Sequence, residues 1–333
     1  MSLGSKPCAA PARTLPPAQE AGLTDEIGIE VWRGGVNTWE CDEMGHLNVR
    51  FYVARAVEGL VGLASAMGLP GAFQPSASAT LLVKDQHIRF LREARARAAL
   101  HMTAGILEIG ESDCRILQCL FHSATGEMAA SFQTIVTHAT AKDERAFPWS
   151  DHTRALSDQL MVTAPDRTGP RSLTFGAPRF GASLAEADRL GMVRLGAGSI
   201  GAMDCDVFGR MRPELFIGRV SDGVPALAAA RGRDKSLDAD RPARVGGAVL
   251  EYRVTHLAWP RAGDRFALRS GLAGVDDRTQ HLVHWMLDPE TGRAWGTAEA
   301  VAVSLDLDAR RIIPISESHQ AHLRERIIPE LNA

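Results

Sequence analysis

From Leu47 onward the apolar residues Val53, Val57, Leu60, Ala64 and Met67 recur at steps of three and four, the period of a helix with one buried face. The run stops at Gly68-Leu69-Pro70-Gly71. Ahead of it, Ile27 to Val36 reads as a strand. Behind it, Leu81 to Leu91, Ala98 to Ile109, Cys114 to His122 and Met128 to Thr137 alternate as half-buried strands do. Leu100, Met102, Ala104 and Ile106 share one face, as do Met128, Ala130, Phe132 and Val136, while Glu111-Ser112-Asp113 and Ser123-Ala124-Thr125-Gly126 supply the reversals. One helix followed by antiparallel strands has a simple packing solution: the sheet curls around the helix and buries its apolar stripe.

The order then recurs. Cys41-Asp42-Glu43-Met44-Gly45 and Cys205-Asp206-Val207-Phe208-Gly209 share Cys-Asp-x-x-Gly at a spacing of 164 residues, and Ala124-Thr125-Gly126 answers to Glu290-Thr291-Gly292 at a spacing of 166. Strands at Val249 to Leu257, Arg265 to Leu272, His281 to Leu287 and Ala294 to Val303 complete the second round. Its helix is poorer in apolar pattern and carries Pro213, tolerable at a first helical position, and Pro225, expected to kink the interior. The chain therefore divides into a flexible arm (1–24), a first unit (25–140), a connector (141–192), a second unit (193–308) and a tail (309–333). A connector of that length calls for short helices, expected over Asp151 to Met161 and Ser183 to Gly191, and the tail for one over Ser316 to Ile328.

Composition narrows the partners. A formal charge of −3 over 333 residues, with a pI near 6.4, argues against electrostatic binding to nucleic acid or an anionic membrane. Apolar runs are too short for a membrane-spanning helix. Five cysteines without a paired framework favour a reducing, cytoplasmic setting. There is no Gly-x-Ser-x-Gly elbow, no zinc-ligand spacing and no Gly-rich phosphate loop, so neither metal nor cofactor is expected.

The chemistry concentrates in Trp39 to Tyr52, where an acidic turn runs into the first helix. A carboxylate before a helix is most simply a cap, but the helix start also carries unpaired amides and roughly half a positive charge, which suit a carbonyl oxygen turning negative. Capping alone does not call for the whole pattern Asp42-x-x-Gly45-His46-x-Asn48 followed by Phe51-Tyr52. This pattern resembles the hot-dog-fold acyl-CoA thioesterases, the 4-hydroxybenzoyl-CoA thioesterase group. The resemblance implies an α+β fold of two tandem hot-dog units, each an antiparallel sheet wrapped around one long helix, joined side by side as an intrachain pseudo-dimer. It implies that Asp42 is nucleophile or general base, that the Val49 amide is the oxyanion donor, that His46 either holds the turn in shape or transfers a proton, that Asn48 braces the loop or orients the carbonyl, and that Gly45 lies against the substrate. Coenzyme A enters only as part of a small-molecule acyl thioester, and pairing of two such chains as a homodimer is left open.

The second unit departs from the pattern, with Arg210, Arg212 and Pro213 where the first has His46, Asn48 and Val49. Proline has no amide hydrogen, so Asp42 is read as the active copy and Asp206 as a relic or structural residue. The first unit departs too, with one asparagine (Asn48-Val49) where the family often has two in succession. Arg89, Arg92 and Arg95 are candidates for the coenzyme A phosphates, against a solvated strand end as the simpler reading. The expected activity is thioester hydrolysis. Two alternatives stay open: a hot-dog enoyl or hydroxyacyl-CoA hydratase or dehydratase, and a non-catalytic acyl-CoA-binding protein.

Overall fold

The computed structural model describes residues 27–176, 181–231, 242 and 244–332, so the arm read at 1–24 lies outside the described residues. Strand β1 (Ile29–Gly35) leads through a single turn at Thr38–Glu40 to helix α1 (Val49–Ala66), followed by β2 (Ala79–Phe90), β3 (Ala99–Ile109), β4 (Asp113–His122) and β5 (Met128–Thr140). The connector carries α2 (Asp151–Asp158) and α3 (Leu184–Arg189). Then the first round repeats: β6 (Val193–Ser199), a turn at Ala202–Asp204, α4 (Glu214–Arg231), β7 (Val245–His256), β8 (Arg265–Val275), β9 (Thr279–Leu287) and β10 (Ala294–Asp306). A short β11 (Arg311–Ile313) and α5 (Glu317–Arg324) follow.

Local chemistry sets these bounds. Asn48 adopts an extended cap conformation, and its side chain accepts a hydrogen bond from the Arg50 amide, so α1 begins at Val49. Leu47, read from the sequence as the first helical residue, instead pairs with Cys41 and donates its amide to the Ala94 carbonyl at 2.8 Å. Beyond the helix, Gly68 takes a positive φ of 82°. In the second unit Pro213 stands just before α4, and the helix runs on through Pro225 to Arg231. Strands β6 and β11 are the ones the alternation did not show: Gly196 and Ala197 interrupt the apolar positions of the first, and the second is three residues long.

The strands form one eleven-stranded antiparallel sheet in the order β1-β3-β4-β5-β2-β7-β10-β9-β8-β6, with β11 on β10. Each half wraps its own helix, and the two halves join through β2 and β7, as the tandem hot-dog reading expects. His87 lies opposite Arg253 at this seam. These two residues are also equivalents, 166 apart in sequence, so a local two-fold axis passes between them. The symmetry extends to the charges. Asp85 accepts from the Arg253 guanidinium at 2.5 Å, and its equivalent Glu251 meets His87 Nε2 at 2.6 Å. All four side chains are buried. Burial alone would raise the Glu251 pKa, but the His87 contact and the Arg171 and Ser172 amides bring it down to about 2.

The connector crosses this outer face of the seam. Glu251 accepts from the Arg171 and Ser172 amides at 2.8 and 2.9 Å, and Arg253 donates to the carbonyls of Thr174 and Gly176. On the inner face, α1 and α4 share one apolar core that includes Tyr52, Val53, Phe216, Ile217 and Tyr252. Arg50 lies across Gly218, where a β-carbon would meet it at 2.9 Å.

Candidate active site at the first Asp-x-x-Gly turn

The turn before α1 is tied at each end. The Asp42 amide donates to the His46 carbonyl at 2.8 Å and the Gly45 amide to the Asp42 carbonyl at 3.0 Å, with Gly45 at a φ of 78° that a side chain would strain. Asp42 Oδ1 accepts from the Met44 and His46 amides at 2.9 and 3.1 Å. Asp42 is therefore not the helix cap; Asn48 is. Among the described residues no hydrogen bond reaches Asp42 Oδ2. Asp42, Met44, His46, Asn48 and Val49 all line a cleft of about 1810 Å³ between the two units. The Val49 amide, first in the helix, has no acceptor among the described residues.

The shell around this turn comes from both units. Asn48 Nδ2 donates to Ser221 Oγ of α4 at 3.0 Å, and the Tyr52 hydroxyl accepts from the Ala94 amide at 3.1 Å. Glu40 is buried, paired with Arg55, and its carbonyl accepts from the Asn48 amide at 2.9 Å. His46 is buried, with Nε2 3.4 Å from both the Glu93 carboxylate and the Arg310 guanidinium. Glu93 and Arg310 are themselves paired. Burial lowers the His46 pKa; the Asp42 charge opposes this, while Arg310 and Arg95 add to it. His46 therefore favours its neutral form.

Of the residues singled out by sequence, Asp42, His46, Asn48, Val49, Arg92 and Arg95 share the cleft. Gly45 shapes the turn without lining it. Arg89 stands apart from this group: its guanidinium donates to the Gly169 carbonyl of the connector at 3.2 Å, and it does not line the cleft. The sequence reading passed over Glu93, Ser221 and Arg310. Glu93 sat unremarked inside the charge run Arg92-Glu93-Ala94-Arg95. Arg310 is 264 residues from His46, and no local pattern links the two.

The second turn has the same backbone. Asp206 Oδ1 accepts from the Phe208 and Arg210 amides at 2.9 and 3.0 Å, and Gly209 has a φ of 77°. Here, however, Asp206 Oδ2 accepts from Arg210 Nε at 3.0 Å and pairs with its terminal nitrogen at 2.9 Å. The Arg210 side chain is 3% exposed and lies over the Phe208 ring, so it is held in place.

A family model described as the thioesterase-like superfamily matches residues 36–156 and 200–323, both units of the chain. No curated protein matches the sequence. Among solved structures, a provisionally assigned oleoyl thioesterase from Lactobacillus plantarum aligns with a TM-score of 0.62 at 12% identity, covering 84% of this chain and 98% of that one. A 12:0-ACP thioesterase from Umbellularia californica aligns at 0.58 and 10% identity, covering 82% and 93%. An acyl-ACP thioesterase from Bacteroides thetaiotaomicron aligns at 0.56 and 10%, covering 81% and 96%. At these identities the likeness is one of fold. Among the described residues no helix is long and apolar enough to cross a membrane.

Proposed function

The chain belongs to the thioesterase-like superfamily, and on that premise we propose that it hydrolyses acyl thioesters, acyl-CoA foremost, at the Asp42 turn of its first unit. The observation that carries this reading is the pairing of one half-engaged carboxylate with one unengaged helix-start amide on the same cleft. Two amides on Oδ1 fix the orientation of the Asp42 carboxylate and leave Oδ2 for chemistry. Oδ2 attacks the carbonyl carbon or takes a proton from an attacking water. The carbonyl oxygen gains charge and is met by the Val49 amide and the positive end of α1, an interaction of roughly 3 to 4 kcal/mol in the transition state. The carbon–sulfur bond breaks, and water supplies hydroxyl to the acid and a proton to the thiol. Thiolate is a good leaving group, so no strong general acid is needed. His46 and Asn48 hold the turn: one is wedged against Glu93 and Arg310, the other bridges to α4. Arg92 and Arg95 on the cleft rim suit the phosphates of coenzyme A.

The test is thiol release from a panel of acyl-CoA esters, read with a thiol-reactive dye. Turnover that Asp42→Asn abolishes supports the reading. Hydration of crotonyl-CoA without thiol release would replace it with the hydratase, and saturable binding without turnover would replace it with the binding protein.

A further inference from the structure

After its last long strand, each unit sends a turn across to the aspartate turn of the other. At the end of β5 the Glu144 amide donates back to the Thr140 carbonyl at 3.0 Å, and at the end of β10 the Arg310 amide donates to the Asp306 carbonyl at 2.8 Å. These are equivalent pairs, 166 residues apart. Glu144 and Arg310 also share a left-handed backbone, with φ of 57° and 54°, a conformation that a residue with a side chain keeps only where its surroundings impose it. The two side chains are opposite in charge, and so are their partners. Glu144 accepts from Arg261 Nη2 at 2.8 Å, and Arg261 Nη1 donates to the Phe208 carbonyl of the Asp206 turn at 3.0 Å. Arg310 pairs with Glu93, and its Nη1 stands 3.4 Å from His46 Nε2 in the Asp42 turn. Glu93 answers to Trp259 and Arg95 to Arg261, so the acid in this loop belongs to the first unit alone.

The consequence falls on the fourth residue after each aspartate. In the second unit Arg210 closes on Asp206 Oδ2. In the first, His46 could close on Asp42 in the same way, most strongly as a cation. Its neighbours act on Nε2 in opposite senses. The Glu93 carboxylate, 3.4 Å away, favours a proton there, whereas the Arg310 guanidinium at the same distance has only donors to offer and favours a bare lone pair. Because Arg310 also pairs with Glu93, the carboxylate is already offset and the donor prevails. The other charges acting on the ring are Asp42 of its own turn, which favours the proton, and Arg95 of the β2–β3 loop, which acts with Arg310 against it. Among the described residues no hydrogen bond joins the His46 ring to Asp42.

We propose that Arg310, supplied from beyond the second unit's last long strand, is a positioning residue for the reaction at Asp42: it holds Glu93 and the bare Nε2 of His46, and so keeps the ring from closing on Asp42 Oδ2 as Arg210 closes on that of Asp206. This rests on the hydrolase reading for its effect on turnover; the hold on the ring stands apart from it. The half of the chain whose own carboxylate is engaged by Arg210 thereby keeps the carboxylate of the other half free. Arg310 is 40% exposed, so its replacement leaves the core intact.

The test changes the charge and reads the ring directly. In Arg310→Gln the Glu93 carboxylate is left without its partner beside Nε2. NMR of the histidine ring protons, with the His46 signal assigned as the one lost in His46→Gln, is expected to show the ring titrating at higher pH in Arg310→Gln than in the wild type. Arg310→Lys is expected to return the titration towards that of the wild type, as is the double variant Glu93→Gln/Arg310→Gln, in which the carboxylate is gone as well. Thiol release from acyl-CoA should follow the ring: the ratio of kcat at about pH 6 to kcat at about pH 8.5 falls about fivefold in Arg310→Gln, with KM changed less than about twofold. Glu144→Gln breaks the other crossing contact and should leave the His46 titration where it is, which separates control of this ring from a general loosening between the units. Melting temperatures check folding. An unmoved ring titration in Arg310→Gln overturns the proposal. So does a rise in KM at every pH with the kcat ratio unchanged, which would make Arg310 a contact for the substrate's phosphates. If the ring shifts as expected but the wild type turns over no thioester, the hold on His46 stands and the hydrolase reading falls. Turnover with an unmoved ring has the opposite meaning.

Discussion

Two Asp-x-x-Gly turns in one chain share their backbone down to the hydrogen bonds. Each aspartate takes two amides on one oxygen, each glycine has a φ near 78°, and each turn rests on an acidic residue paired with a helix arginine, Glu40 with Arg55 and Asp204 with Arg219. What separates them is the other oxygen. At Asp206 it is held by Arg210, whereas at Asp42 the matching residue is a buried histidine that turns away to Glu93 and Arg310. The helix start differs in step: an amide at Val49, a ring nitrogen without hydrogen at Pro213. Holding a carboxylate in a given shape is thus the work of the turn, and whether its second oxygen is engaged is decided at one position, Arg210 against His46.

The largest expected effect separates the two aspartates. Asp42→Asn should lower kcat by about a thousandfold or more, while Asp206→Asn keeps most of the activity; equal losses in thiol release would mean that both turns contribute. Next comes the helix start. Val49→Pro gives the first unit the second unit's residue at a position where proline is sterically welcome, since Asn48 already has the extended ψ of 141° that precedes a proline. Loss of the amide should cost about a hundredfold to a thousandfold in kcat with little change in melting temperature. A comparable loss of stability would show that the amide's role was structural.

Smaller still is the effect of Arg210→Ala on folding. The arginine is buried but Asp206 is 31% exposed, so water can partly replace the lost partner, and a denaturant titration should show a loss of about 1 to 2 kcal/mol. The smallest effect is on pH dependence. The folded His46 pKa lies below the ordinary 6.5, so the unfolded chain binds more protons just below that pH. The contribution of neutral His46 to stability is therefore full above 6.5 and lost as pH falls through the lowered value. Protonated His46 would also place a cation beside Asp42, as Arg210 does beside Asp206. Activity and stability should fall together on the acid side, and His46→Gln should flatten that part of both profiles.

The repeat was the most legible feature because it needs no three-dimensional knowledge: Cys-Asp-x-x-Gly occurs twice, and the shift from 164 to 166 residues places the insertion between helix and last hairpin. The α1 stripe and the alternating strands were readable for the same reason, since each registers one buried face. Strand β6 was not, because Gly196 and Gly198 remove the side chains that would have shown it. Asp42, His46 and Asn48 lie close in sequence and could be gathered by motif. The Ser221 and Arg310 contacts could not, because the fold brings them across from the other unit. The Arg89 contact with the connector was illegible for a related reason. Alternation says that residues 89 and 90 point to opposite faces, but not which face the connector covers.

The seam between β2 and β7 has a bearing on how this protein could arise or be divided. Each carboxylate buried there meets a side chain of the opposite half: Asp85 the Arg253 guanidinium, Glu251 the His87 ring. A half produced alone would keep its own acid and base on the same exposed edge, without the counterparts that offset their burial, beside a row of open backbone donors and acceptors. Either half expressed separately is expected to assemble with itself or aggregate in size-exclusion chromatography, whereas mixing the two should recover a one-to-one species.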